Sequence, residues 1–185
     1  MTEKSKERWR DRNMPIVREG DLQFDFSSAQ NVRKFDDPQN HGLSHCMKSV
    51  DYIVELNDKT LFIEVKDPQH PNAKQKPKVS FVQEFLSGKL DEILKYKYRD
   101  SFLYEWASEA IKKPVYYVVL IAVDALSQAD LLRRTDSLKR IIPFDGPSSG
   151  IWKRKIVAGC VVLNINEWNK QFHQFPVSRI SKNKP

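Results

Sequence analysis

The chain has 185 residues, 40% of them hydrophobic and 30% charged, enough for one filled core and well outside the low-hydrophobicity regime of disordered chains. Thirty-one lysines and arginines stand against 24 aspartates and glutamates, a formal net charge of +7 that favours an anionic partner such as nucleic acid. Two cysteines, Cys46 and Cys160, lie far apart without a CxxC spacing, which excludes a zinc ribbon and a disulfide framework and suits a reducing compartment.

Residues 1–13 interleave Lys4, Lys6, Arg8, Arg10 and Arg12 with Glu3, Glu7 and Asp11 and read as a helix or arm ending near Pro15, with no apolar stretch of signal-peptide character. In residues 22–26, Leu22, Phe24 and Phe26 alternate with Gln23 and Asp25, as in a strand. Residues 27–44 are polar, carry Pro38 and Gly42, and read as loop. Two β-rich runs, 50–56 and 60–66, flank Asn57-Asp58-Lys59 and predict a hairpin. The following stretch, 67–78, holds Pro68, Pro71 and Pro77 with Lys74, Lys76 and Lys78, an extended basic loop.

Helical spacing of Val82, Phe85, Leu86, Leu90, Ile93 and Leu94 predicts a helix over 81–98, with Ser80 and Gln83 as a capping box. A second helix is expected over 102–112, before Pro114. The uninterrupted apolar run 115–123 reads as a central strand covered on both faces. Ser127 with Asp130 caps a helix through Arg140, the loop 143–150 follows, and 156–165 and 166–172 read as a strand and a short helix. The pattern is α/β with a mixed central sheet flanked by helices. No segment is apolar over a membrane-spanning length, so a cytoplasmic protein is the expectation.

In 61–66 the side chains alternate, setting Phe62, Glu64 and Lys66 on one face. Asp51 opens the preceding strand. Folding about Asn57-Asp58 pairs it with Glu64, and folding about Asp58-Lys59 pairs it with Lys66. Either register gathers two carboxylates and a lysine on otherwise apolar strands, an arrangement that a divalent cation would stabilise. Mg²⁺ or Mn²⁺, with Asp51, Glu64 and the carbonyl of Val65 as ligands, suits the oxygen donors. Lys66 then serves an attacking water or the developing phosphate charge.

Val50-Asp51, twelve residues, then Glu64-Val65-Lys66-Asp67 resembles the PD-(D/E)xK phosphodiesterase superfamily of restriction, repair and recombination nucleases. The resemblance implies a restriction-endonuclease-like core over about 20–123, within one domain spanning 1–185 and elaborated by a strand and helix over 124–175. In that core a helix precedes a three-stranded meander, with 22–26 as its first strand and 50–66 as the other two, followed by a crossover helix and another strand. It implies Asp51 and Glu64 as metal ligands and Lys66 as the catalytic lysine of a metal-dependent nuclease acting on DNA. Val50 stands where the pattern has proline.

Relatives often carry a further acidic residue in the opening helix, for which Glu19 is the candidate, with Glu7 behind it. Gln83, besides its capping-box reading, has a counterpart in the helix glutamine of RecB-like nucleases. Lys74, Lys76, Lys78 and His70 are placed to meet a phosphate backbone, and Lys89, Lys95, Lys97 and Arg99 extend that basic track. The competing reading is a catalytically inactive nuclease fold that binds nucleic acid or forms part of a restriction, repair or defence complex. A homodimer fits either reading.

Overall fold

The computed structural model describes residues 16–37, 42–71 and 78–181. The chain starts with β1 (Ile16–Glu19) and β2 (Leu22–Asp25), an antiparallel hairpin closed through Gly20 at φ +58°. Near the other end of the chain, β8 (Val177–Arg179) pairs with β2 and completes a three-stranded sheet, order β1-β2-β8. Between them runs a five-stranded sheet, order β3-β4-β5-β6-β7, made of β3 (Asn31–Lys34), β4 (Tyr52–Glu55), β5 (Thr60–Lys66), β6 (Val115–Ile121) and β7 (Gly159–Leu163). The first three strands form an antiparallel meander; β6 and β7 add in parallel. The mixed α/β architecture is the one expected, with 115–121 as a central strand.

Parallel pairing requires crossovers, and helices supply them. Between β5 and β6 run α1 (Lys78–Ser87) and α2 (Asp91–Ala107); α3 (Gln128–Ile141) joins β6 to β7, and α4 (Ile165–Gln171) follows β7. Strand alternation then divides the core in two. Tyr52, Leu61, Ile63, Val118 and Leu120 face Phe24 and Val177 of the small sheet and Trp168 of α4. Ile53, Phe62, Tyr117 and Val119 face Phe85, Leu94, Tyr98, Leu131 and Leu138 of the first three helices. The large sheet is thus the middle layer. Cys160 lies buried in the helix-side core, as its apolar run predicts.

Four expectations need correction. Residues 22–26 do not open the meander: Leu22 and Phe24 are buried in the smaller sheet, and the meander's first strand is β3, inside the stretch that reads as loop. β3 is an edge strand whose one fully buried side chain is Val32, so it carries little apolar signal. Among the described residues no helix precedes the meander; the β1–β2 hairpin does. The expected helices over 81–98 and 102–112 are cut differently, because α2 continues through Arg99, Asp100 and Ser101 to Ala107. Its buried face carries Ser101 and Glu105, whose polarity masks the helical period; the Ser101 hydroxyl accepts the Val50 N–H at 3.0 Å, and Glu105 pairs with Arg33. Finally, Ser80 lies within α1 and does not cap it, whereas the predicted Ser127–Asp130 capping box is present on α3.

The break between α1 and α2 falls at Gly88, φ +81°. A Cβ there would run into Arg134 Nη1, and that guanidinium is held 3.0 Å from Asp91 Oδ2. Gly88→Ala is expected to lower the unfolding free energy by about 2 kcal/mol, since a non-glycine residue in the left-handed region costs ~1–2 kcal/mol before any clash. Urea unfolding checks it; a loss below about 0.5 kcal/mol would show that neither the backbone nor Arg134 is constrained. Among the described residues no helix is long and apolar enough to cross a membrane.

Candidate metal centre

The β4–β5 hairpin turns at Asn57-Asp58, where Leu56 N–H donates to the Lys59 carbonyl at 2.8 Å. Tyr52 therefore faces Ile63, and continuing the register by one step sets Asp51 opposite Glu64, the first of the two predicted registers. Phe62 and Glu64 share the helix-facing side of β5. Glu64 is fully buried at 0% exposure and Asp51 nearly so at 6%. Asp51 is held from two directions: its Oδ2 accepts the Val65 N–H at 2.5 Å, and its own carbonyl accepts the Phe35 N–H at 2.8 Å. Val65 turns its side chain to the opposite core, so its backbone, and no side chain, meets Asp51.

Two lysines converge on Glu64. Lys66, two residues along β5, brings Nζ to 2.6 Å from Glu64 Oε1. Lys97 of α2 stands 2.8 Å from the same oxygen and 3.7 Å from Asp51 Oδ1. The placement of Lys97 follows from the helical period: Leu94, Tyr98 and Ser101 mark the buried face of α2, and Tyr98 packs on Phe62 with ring centroids 5.8 Å apart, so the position before Tyr98 meets the strand two residues past Phe62. Both lysines form ion pairs with Oε1, whereas Oε2 has no hydrogen-bond partner among the described residues, so the carboxylate is balanced in charge on one oxygen and left open on the other.

The electrostatics carry the same imprint. Burial, reinforced by the charge of Asp51 and opposed by Lys66 and Lys97, pushes the Glu64 carboxyl up to about 7. Asp36, just past β3, is pushed up to about 6 by burial and by Asp51, against the pull of Lys34, and its buried Oδ1 has no hydrogen bond among the described residues. Burial alone would lower the Lys97 ammonium, but Glu64 and Asp51 hold it above its usual value. Glu19, at the end of β1, accepts from Lys34 Nζ at 3.0 Å and from the Tyr52 hydroxyl at 3.1 Å. It lies on a strand and not on an opening helix, and it reaches the acidic pair through Lys34 and Asp36.

The other predicted residues are more scattered. His70 covers the β1–β2 turn, its Cδ2 2.7 Å from where a Gly20 Cβ would stand. Gln83 is exposed on α1. Lys74 and Lys76, together with Glu7, lie outside the described residues; Lys78 is the first residue of α1. Lys97 belongs to the buried cluster and not to an open basic track, while Lys95 pairs with Glu92 and lies over the Tyr96 ring. Sequence reasoning missed the role of Lys97, which its position before Tyr98 could have disclosed, and missed Asp36, for which no signal was present.

Among the described residues no three His, Cys, Asp or Glu side chains are grouped to hold a metal ion by themselves. A hard divalent ion that keeps several waters needs only one or two carboxylates, however. Asp51 Oδ1 and Glu64, with its orphaned Oε2, fit that donor set. The chain matches no protein-family model, no curated protein and no solved structure.

Proposed function

We propose that this chain is a metal-dependent nuclease of the PD-(D/E)xK kind, hydrolysing phosphodiester bonds with DNA as the favoured substrate. The observation that carries the reading is Glu64: a fully buried carboxylate with one oxygen that has no hydrogen-bond partner among the described residues, opposite Asp51 and two residues before Lys66. Burying such a group without a full set of partners costs several kcal/mol, a cost that a bound cation offsets. The order of the antiparallel β3-β4-β5 meander, helical crossover and parallel β6 also accords with the fold that the resemblance implies. The β1–β2 hairpin in place of an opening helix is a departure from it.

When bound at Asp51 and Glu64, a Mg²⁺ or Mn²⁺ ion supplies Lewis-acid polarisation of a phosphate oxygen and acidifies a bound water. The chain's own contribution is pre-organisation. Val65 N–H fixes the orientation of Asp51 through Oδ2, and the wall of Phe62 and Tyr98 keeps water from beneath Glu64. Lys66, with a side chain 30% exposed, is more accessible than Asp51, Glu64 or Lys97 and stabilises negative charge developing on the phosphate or orients the attacking water. The cytoplasm is the compartment this reading assigns.

A second reading has an observation of its own. Lys66 and Lys97 together already oppose the charge of Asp51 and Glu64, which is the arrangement of a nuclease fold that has kept its architecture and binds nucleic acid or a partner without cutting. Cleavage of plasmid, linear duplex, single-stranded DNA and RNA with Mg²⁺ or Mn²⁺ separates the two. The nuclease reading expects wild-type cleavage that EDTA abolishes and that falls by about a hundredfold or more in Asp51→Ala and Lys66→Ala, both folded by circular dichroism. Salt-sensitive binding indifferent to EDTA, with no cleavage of any substrate, would install the second reading.

A further inference from the structure

We propose that Lys97 is a displaceable counter-ion: its ammonium and a divalent metal ion compete for the negative charge of the same two carboxylates, so metal loading requires Lys97 to leave. The proposal rests on the reading of Asp51 and Glu64 as metal ligands. Asp51 Oδ2 already accepts the Val65 N–H, so Oδ1 is the oxygen it turns to a cation without sharing it with that amide. Asp51 Oδ1 is 3.7 Å from Lys97 Nζ, and Glu64 Oε1 is 2.8 Å from the same nitrogen. A single ammonium therefore faces both of the carboxylates that would hold a cation.

Lys66 is not equivalent. Among the described residues it pairs with Glu64 only, from the more exposed end of the site, and its contact leaves Asp51 Oδ1 open. Lys97 is the more enclosed, its side chain 16% exposed, so its charge is poorly screened and acts on an arriving dication at close range. The flexible four-carbon stem of lysine lets the ammonium swing aside while α2 stays packed through Leu94, Tyr98 and Ser101. Lys97 thus compensates the buried acids before metal arrives and sets the affinity with which metal arrives.

The test is calorimetric titration of Mn²⁺ into the full chain, stripped with EDTA and dialysed, for the wild type, Lys97→Met, Lys97→Gln, Lys66→Met and Asp51→Asn. Both Lys97 variants are expected to bind Mn²⁺ about tenfold or more tightly than the wild type, with Lys66→Met showing a clearly smaller gain. Asp51→Asn combined with Lys97→Met is expected to lose the added affinity. If Lys97→Met binds Mn²⁺ no tighter than the wild type, while both still depend on Asp51, the counter-ion role is overturned and the metal site stands. If no variant binds Mn²⁺, the metal-site reading falls and the proposal with it. Should Lys97→Met be unfolded without metal, Mn²⁺-induced folding followed by circular dichroism supports the proposal, and a chain that stays unfolded in Mn²⁺ overturns it.

Discussion

Glu64→Gln is expected to reduce metal-dependent cleavage by about a thousandfold while leaving the chain folded and flattening the pH dependence of its stability. The first effect follows from removing a charged ligand without changing shape: glutamine fills the same space between β5 and α2 but offers the metal a neutral oxygen. The second follows from the raised acidity constant. The Glu64 carboxyl, pushed up to about 7 from 4.5 by burial and then by Asp51, keeps its proton in the folded chain at pH values where the unfolded chain has released it. The folded state binds more protons across that window, so stability falls as pH rises from about 4.5 to about 7, by ~1.4 kcal/mol per pH unit at most for one group. Asp36, pushed up to about 6, acts in the same direction and persists in the variant. Urea unfolding at pH 5, 6, 7 and 8 should therefore show a steep decline in the wild type and, for Glu64→Gln, one that ends near pH 6. Equal slopes in the two proteins, or a glutamine variant that cuts normally, would contradict the assignment of Glu64.

The hairpin that carries this site was legible in the residues, and the partners brought to it from a distance were not. Alternation along β5 and the Asn57-Asp58 turn are local, and together they define which side chains share a face and which oppose each other. Lys97 and Asp36 reach Glu64 and Asp51 through the crossover helix and an edge strand, and nothing within a window of a few residues encodes where those elements land. Lys97 was the nearer to being read: recognising that Leu94, Tyr98 and Ser101 lie on one helical face would have placed it over the sheet.

Other misreadings share a physical cause, polar residues serving buried roles. Ser101 accepts the Val50 N–H and Glu105 forms a salt bridge with Arg33, so the middle of α2 looks like a loop in hydropathy while its backbone stays helical. The edge strand β3 and the three-residue β8 expose too few apolar side chains to carry a period. The helix expected over 81–98 runs across Gly88, where a φ of +81° breaks it.

Arg179→Met should lower the unfolding free energy by about 3–5 kcal/mol, the range for breaking a buried ion pair by removing one partner. Arg179, on β8, has a side chain only 5% exposed. Its two terminal nitrogens meet both oxygens of Asp67, at 3.1 and 2.9 Å, and Nη2 also donates to the Ala122 carbonyl at 2.7 Å. Asp21, in the β1–β2 turn, stands 3.5 Å from Nη1 and accepts two further hydrogen bonds from Ser181. One guanidinium therefore ties the small sheet to the ends of β5 and β6, and methionine of similar length would leave Asp67 charged and buried. For a chain of this size the loss corresponds to roughly a 10 °C drop in melting temperature. Arg179→Lys should recover only part of it, because an ammonium cannot reproduce the two parallel contacts to Asp67. Asp67 directly follows Lys66, so the tie also fixes the end of the strand that carries the site. Cleavage by Arg179→Met, measured well below its melting temperature, should fall by less than the Asp51 and Lys66 variants lose. A melting temperature within about 2 °C of the wild type would show that the three carboxylate and carbonyl partners of Arg179 are satisfied without it.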